Sequence, residues 1–249
     1  MIKKNIKEFI GVLCFALLFT GASIAQPTGY NYYKVVTFNT SQTYGNNTNF
    51  PVLISVTDTD LRDNVENSNG YDIIFTDDAN GNNILDHQIE SYNSSTGEYI
   101  AWVKKPTVSD ANNTLYMWYG NSSVNSDPST NQTWSEDFRS VYHFNNTFND
   151  ASPNGRNGTN NGTTSTTCKI GSARNFDGNN DYIALNDSYS SSSESAVTLA
   201  FWIKTTDSDD QIIMSYDRNE YWRAEINGTG AGSGQIGWDV YTDDGQSDF

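Results

Sequence analysis

The stretch Leu85-Asp86-His87-Gln88-Ile89-Glu90 decides the fold class, because apolar and polar side chains alternate along it residue by residue. A period of two places alternate side chains on opposite faces of a β-strand, so one face is buried and the other is polar. The same period recurs in Val52–Val56, which follows a proline, and in Tyr71–Phe75. No part of the chain has sustained helical periodicity, and the pattern therefore predicts an all-β protein.

Other short runs rich in Val, Ile, Tyr, Phe and Trp predict further strands in two groups. The first group adds Tyr32–Phe38, Tyr99–Val103 and Thr114–Tyr119. The second group comprises Val141–Phe144, Ala173–Phe176, Tyr182–Leu185, Val197–Lys204, Gln211–Tyr216, Tyr221–Ile226 and Gln235–Tyr241. We therefore predict two β-sandwich, jelly-roll-like modules in tandem.

The polar stretches between these runs predict the connections. Asn145–Thr167 and Asp187–Ser195 are rich in Asn, Ser and Thr and predict long loops, whereas Asp177-Gly178 predicts a hairpin turn. Asp243–Phe249 contains no strand that would close the second sandwich. The expected organisation is a first sandwich over residues 28–121, a linker over 122–134, and a second sandwich over 135–249 that is incomplete at its C-terminus.

Residues 1–25 have the three parts of a secretory signal peptide. Three lysines fall within the first seven residues, an apolar run extends over Phe9–Phe19, and small residues follow it. We expect cleavage between Ala25 and Gln26 and a secreted or cell-surface protein. The apolar run is shorter than the roughly 20 residues that span a bilayer, so no membrane insertion is expected after cleavage.

The net charge argues against two classes of binding partner, whereas the cysteine content leaves the partner of one thiol open. The chain carries 14 Lys and Arg against 30 Asp and Glu, a formal net charge of −16. Nucleic acids and anionic membranes attract basic surfaces, so neither is an expected partner. Cys168 is the single thiol that remains after removal of residues 1–25, and its partner is left open.

The first half of the chain resembles a bacterial family known as domain of unknown function 2341. The resemblance extends over Tyr32–Tyr119, with an aromatic-rich first strand followed by four segments in a characteristic order. Those segments are Tyr71–Asp77, Leu85–Ser91, Ala101–Lys104 and Leu115–Asn121. The His87-Gln88 pair departs from the family, which more usually has aromatic residues there. The family has no established chemistry, so the resemblance implies an architecture and no active site.

The second half is similar to the laminin-G-like, concanavalin A-like jelly roll. The segments that carry this similarity are Val141–Phe144, Asp150–Gly155, Lys169–Gly178, Asp181–Ile183 and Thr198–Lys204. The similarity implies a module that recognises glycans or proteins. It also implies a calcium site by comparison with pentraxins, in which an acidic loop of this kind holds the ion. The corresponding residues are Asp217, Asn219 and Glu220, for which solvated turn residues are the alternative reading.

No set of residues has the spacing that catalysis requires. Glu90 and Glu225 are candidates for a glycosidase acid, but neither has a second acid two residues further on. His87 lies on an apolar face and His143 between two aromatic residues, which favours hydrogen-bonded core or edge residues over bases. Trp134 stands among polar residues and either packs between the modules or contacts a partner. We therefore expect no enzyme.

Three hypotheses for function remain open. The favoured one is a non-catalytic recognition module that binds polysaccharide or another surface protein, with calcium as a possible cofactor. The second is a pair of structural spacer domains in a large adhesin. The third is an ancillary domain of a secreted glycoside hydrolase whose catalytic part lies elsewhere.

Overall fold

The computed structural model describes residues 26–40, 45–185, 197–206, 208–216, 222–227, 234–242 and 245–248. Nearly all regular structure in these ranges is β, which confirms the predicted all-β fold class. The exceptions are a six-residue helix, α1 (Thr59–Asn64), and a single 3₁₀ turn at Asn131–Thr133. The chain divides into two compact units, Met1–Asn186 and Asp187–Phe249.

The first unit begins with a sandwich of two antiparallel, three-stranded sheets. Its strands are β1 (Tyr32–Thr37), β2 (Asn47–Thr57), β3 (Ile74–Thr76), β4 (His87–Asn93), β5 (Glu98–Val108) and β6 (Thr114–Tyr119). The strand order is β1-β6-β3 in one sheet and β2-β5-β4 in the other. β5 is therefore a central strand, whereas β4 lies at an edge.

Both sheets contribute their inward-facing residues to one hydrophobic core. Alternate residues of each strand point inward, and the buried set includes Val36, Ile54, Val56, Phe75, Tyr99, Ala101, Val103, Leu115 and Met117. Each fully buried side chain of this size contributes about 1.5–3 kcal/mol of hydrophobic stabilisation. The inward faces of Val52–Val56 and Tyr99–Val103 correspond to the period-two pattern of the sequence.

Asp72 joins the chain before β3 to the end of β6. Its side chain is fully buried, and its carboxylate accepts four backbone N–H groups. Two come from Glu66 and Asn67, at 2.9 and 3.0 Å. The other two come from Gly120 and Asn121, at 3.1 and 3.2 Å. A buried carboxylate requires donors of this kind, because without them its desolvation would be strongly unfavourable.

Two short ribbons complete the described part of the first unit. They are formed by β7 (Gly158–Asn161), β8 (Thr164–Thr167), β9 (Ser172–Asn175) and β10 (Tyr182–Leu185). β7 pairs with β10 and β8 with β9. The prediction of a loop throughout Asn145–Thr167 is therefore wrong, since polar Thr and Asn residues form two exposed strands. The hairpin predicted at Asp177-Gly178 is also wrong, because its flanking strands pair with other partners.

The strand predicted at Val141–Phe144 does not form. The backbone N–H of Val141 donates to the Asp150 carboxylate at 2.8 Å instead of to a neighbouring strand. Phe144 has φ of +57°, which lies outside the β region. These local contacts override the apolar pattern of the segment.

The second unit contains a four-stranded antiparallel sheet in sequential order. Its strands are β11 (Gln211–Tyr216), β12 (Trp222–Ile226), β13 (Ile236–Thr242) and β14 (Gly245–Asp248). The first three confirm predicted strands. β14 corrects the prediction that Asp243–Phe249 contains no strand, because Gly245–Asp248 pairs with β13.

Val197–Lys204, predicted to be a strand, has no regular structure. A strand requires a hydrogen-bonding neighbour, and no strand pairs with this run within the described ranges. The described residues also contain no helix that is long and apolar enough to cross a membrane. The predicted limits of the modules, 28–121 and 135–249 with a linker at 122–134, remain a prediction.

Candidate functional site

An open cleft of about 490 Å³ lies beside the edge strand β4 in the first unit. One wall comes from the β4–β5 hairpin and the other from two irregular segments. The cleft is lined by Glu90, Ser91, Glu98, Ile100, Asn145, Cys168, Lys169, Gly171 and Ser172. Its volume falls within the roughly 300–1,000 Å³ typical of small-ligand sites, and most of its lining is polar.

Glu90 occupies a β-bulge in β4. The register between β4 and β5 shifts between Ile89 and Ser91, so Glu90 has no partner residue on β5. A bulge of this kind turns a side chain away from the regular alternation of the strand. The Glu90 side chain is only 5% exposed although it lines the cleft.

Three donors surround the Glu90 carboxylate. Trp102 Nε1 donates to Oε1 at 2.9 Å, and Asn145 Nδ2 donates to Oε2 at 2.8 Å. His143 Nδ1 also contacts Oε1 as an ion pair. Burial alone would raise the pKa of Glu90, but the His143, Trp102 and Asn145 contacts together outweigh burial and lower it. The carboxylate is thus stabilised in its ionised form.

The neighbouring Gln88 links His143 to Trp134. Trp134 Nε1 donates to Gln88 Oε1 at 2.6 Å, and an indole N–H can only donate, so the amide orientation is determined. The same oxygen lies 2.9 Å from His143 Nε2, which must therefore be a donor. His143 donates to Glu90 through its other nitrogen. The His143 ring thus lies between two acceptors, Gln88 Oε1 and the Glu90 carboxylate.

Trp134 anchors this network by aromatic contacts. Its ring centroid lies 5.2 Å from that of Trp102, 5.1 Å from Phe138 and 5.9 Å from His143. Trp134 is 5% exposed. Of the two readings of this residue, packing is therefore the one that the structure shows.

Asn145 is held in place by an unusual backbone. Phe144 and Asn146 on either side of it have φ of +57° and +59°, and the Asn146 N–H donates to the Phe144 carbonyl at 2.8 Å. A bulky residue in the left-handed region is unfavourable by about 1–2 kcal/mol. Asn145 Oδ1 also accepts the backbone N–H of Ser172 at 2.9 Å. Strained backbone of this kind is common where a side chain must be positioned for function.

The residues proposed for calcium belong to a part of the chain that the structure does not describe. Asp217, Asn219 and Glu220 are outside the described residues, as is Ala25, so these predictions remain predictions; Gln26 is described and exposed. No group of three or more His, Cys, Asp or Glu side chains in the described ranges is arranged to hold a metal ion. The carboxylate of Asp78, in the turn after β3, accepts the backbone N–H groups of Asn80, Asn82 and Asn83.

The two histidines differ in environment. His87 is 2% exposed, its Nδ1 lies 3.3 Å from the Leu85 carbonyl, and its ring packs edge-on against Phe75. Burial lowers the pKa of His87 and favours the neutral ring. The interpretation of His87 as a hydrogen-bonded core residue is confirmed. His143 is hydrogen-bonded, as expected, but lies in an irregular segment beside the cleft.

Part of this region matches a family model. Residues 69–160 match the family model described as Domain of unknown function (DUF2341). The match confirms part of the resemblance noted in the first half of the sequence, and it covers less than half of the chain. The DUF2341 segment contains the entire network of Gln88, Glu90, Trp102, Trp134, His143 and Asn145. The 168–172 side of the cleft lies outside it.

The other comparisons give no relatives. No family model supports the laminin-G-like similarity of the second half, which remains a prediction. No curated protein and no solved structure is significantly similar to the chain.

Proposed function

We propose that the chain is a secreted or cell-surface, non-catalytic recognition module that binds a surface polysaccharide in the Glu90 cleft. The observation that carries the proposal is the polar cleft beside β4, in which two lining side chains, Glu90 and Asn145, are held in place by hydrogen bonds. Such a surface can recognise sugar hydroxyl groups with little loss of side-chain entropy.

The exposed lining supplies complementary groups for a sugar. Glu98 offers carboxylate acceptors and Lys169 offers ammonium donors, while Ser91 and Ser172 contribute hydroxyl groups. Ile100, which is only 9% exposed, adds a small apolar surface beside them. This mixture suits the alternating polar and apolar faces of sugar rings better than it suits a purely apolar ligand.

The electrostatics of Glu90 favour binding over hydrolysis. The general acid of a glycosidase needs a raised pKa so that it remains protonated at neutral pH. The pKa of Glu90 is lowered, and its carboxylate already accepts three hydrogen-bonding partners. Glu90 is therefore suited to organising the cleft and poorly suited to donating a proton.

Glycan arrays and polysaccharide pull-downs, run with calcium and with chelator, test the proposal. The expected result is binding of at least one surface polysaccharide that weakens about tenfold in Glu98→Gln and in Lys169→Ala, as loss of one hydrogen bond to a charged group predicts. Glu66→Gln and Lys204→Ala change exposed residues outside the cleft and serve as matched controls. Absence of binding to any polysaccharide, or binding that is equal in cleft and control variants, would contradict the proposed site.

A further inference from the structure

Lys105 is a buried cation in the core-facing row of β5. Tyr99, Ala101 and Val103 point into the core, and Lys105 continues the same alternation. Its side chain is 0% exposed. Inward-pointing charges often protect edge strands from unwanted pairing, but β5 is the central strand of its sheet. Edge protection therefore does not account for this lysine.

Two side chains meet the Lys105 ammonium. Nζ donates to Asn112 Oδ1 at 2.7 Å and forms an ion pair with the Asp77 carboxylate. Asp77 follows β3 and Asn112 lies in the turn between β5 and β6. The site thus brings together an amine, an amide carbonyl and a carboxylate that can carry protons between them. These are the three groups required for amide exchange, in which a nucleophile is activated by an adjacent base.

We propose that Lys105 and Asn112 condense to form an intramolecular amide bond, with Asp77 as the proton carrier. Asp77 accepts a proton from the Lys105 ammonium, and the neutral amine attacks Asn112 Cγ. The new Nζ–Cγ bond forms and the Cγ–Nδ2 bond breaks. The two protons released by Nζ pass through Asp77 to the departing nitrogen, which leaves as ammonium, and Asp77 regains its negative charge.

The buried environment of Lys105 favours formation of the amide bond. A buried ammonium is costly even when paired, because its partners must compensate its desolvation, and the condensation removes that charge from the core. Asn112 is the acyl partner because an ionised carboxylate such as Asp77 reacts poorly with an amine. Asp77 is 25% exposed, which gives the ammonium product a path to solvent. The inference does not depend on the Glu90 cleft or on the proposed function.

The intact mass of the purified, folded chain tests the bond. The expected mass is lower than the sequence mass by one ammonia. Trypsin does not cut before proline, so one peptide, spanning residues 105–139, contains both Lys105 and Asn112. That peptide is expected to carry the ammonia loss and to give no fragment ions from cleavage between positions 105 and 112.

Variants separate this bond from other losses of ammonia. Lys105→Arg and Asp77→Asn are expected to have their full sequence mass, whereas Asp86→Asn, at an exposed acid near Lys104, retains the loss. A cyclic imide formed by asparagine alone would persist in Lys105→Arg and would still fragment between positions 105 and 112, and that result overturns the proposal. A full sequence mass for the folded wild-type chain also overturns it, as does the loss of one water, which would place the bond on Asp77.

Discussion

At the scale of single residues, the Asp72 carboxylate is a buried charge that depends on backbone donors. It is fully buried and accepts four backbone N–H groups, and three of them share Oδ2. Asp72→Asn replaces one acceptor oxygen with an NH₂ group that faces a donor. We expect the free energy of unfolding to fall by about 2–4 kcal/mol, measured by urea denaturation, because a buried donor is left unsatisfied.

The matched control for this change is Asp137→Asn, at an exposed aspartate. It is expected to remain within about 0.5 kcal/mol of the wild type, as surface substitutions usually do. Equal denaturation midpoints for the two variants would show that the Asp72 hydrogen bonds contribute nothing to stability.

Glu90 links stability to pH. Its folded-state pKa is lowered, so the unfolded chain binds more protons in the acidic range and stability rises with pH there. The contribution of Glu90 is complete above the unfolded pKa of about 4.3 and disappears as pH falls through the lower folded value. Glu90→Gln is therefore expected to be destabilising by about 2 kcal/mol at neutral pH and progressively less so below about pH 4, measured by urea denaturation across pH.

Glu136→Gln tests whether a stability difference that shrinks at acidic pH is specific to the network around Glu90. Glu136 is exposed and lies near the same segment of chain. Its variant is expected to follow the wild-type curve within about 0.5 kcal/mol at each pH. A Glu90→Gln difference that stays constant from neutral to acidic pH would mean that the Glu90 charge plays no part in stability.

At the scale of elements, the β4–β5 hairpin packs closely against the start of α1. Gly97, in the hairpin turn, has φ of +72°, and a Cβ there would lie 1.9 Å from the Asp58 carbonyl oxygen. Asp58 is the N-cap of α1, and it also pairs with Lys34 of β1 at 2.6 Å. Gly97→Ala therefore both strains the turn and displaces the helix start.

A second glycine separates these two effects. Gly155 has φ of +65°, but a Cβ there would meet nothing within 4 Å. Gly155→Ala is expected to cost about 1–2 kcal/mol from backbone strain alone. Gly97→Ala is expected to cost about 1–3 kcal/mol more, from overpacking, in the same urea titration. Equal losses would indicate that the hairpin can move away from α1 without penalty.

The elements that the sequence predicted well include short runs rich in apolar and aromatic residues. Thr114–Tyr119, Tyr182–Leu185 and Gln211–Tyr216 form strands with the predicted limits. The pattern failed where local side-chain contacts dominate, as at Val141–Phe144, and where exposed threonines form strands, as in β8. Alternation reports burial on one face, so it cannot detect a ribbon whose two faces are both exposed.

At the scale of the molecule, the cleft could be predicted only in part. Glu90 and Gln88 were visible as the polar side of an alternating strand, and His143 and Trp134 as unusual residues in polar or aromatic surroundings. The sequence did not show that these residues meet, because Gln88 is 46 positions from Trp134 and 55 from His143, and the bulge at Glu90 depends on pairing with β5. Nothing in the sequence marked Lys169 and Ser172 as cleft residues, because only the folded path of the chain brings them to the cleft.

Export is the prediction that concerns the whole chain. The basic start and apolar run of residues 1–25 predict a product that begins at Gln26 and lies outside the cytoplasm. Mass spectrometry of the N-terminal peptide, isolated from an expressing bacterium, identifies the first residue of that product. Leu17→Arg places a charge in the apolar run and is expected to keep the chain in the cytosol with residues 1–25 attached. Ile84→Arg introduces the same charge at a site that is 60% exposed and should leave export unchanged. Recovery of the wild-type chain from the cytosol with Met1 still present would contradict both the leader and the proposed surface role, since a polysaccharide outside the cell could not then be its ligand.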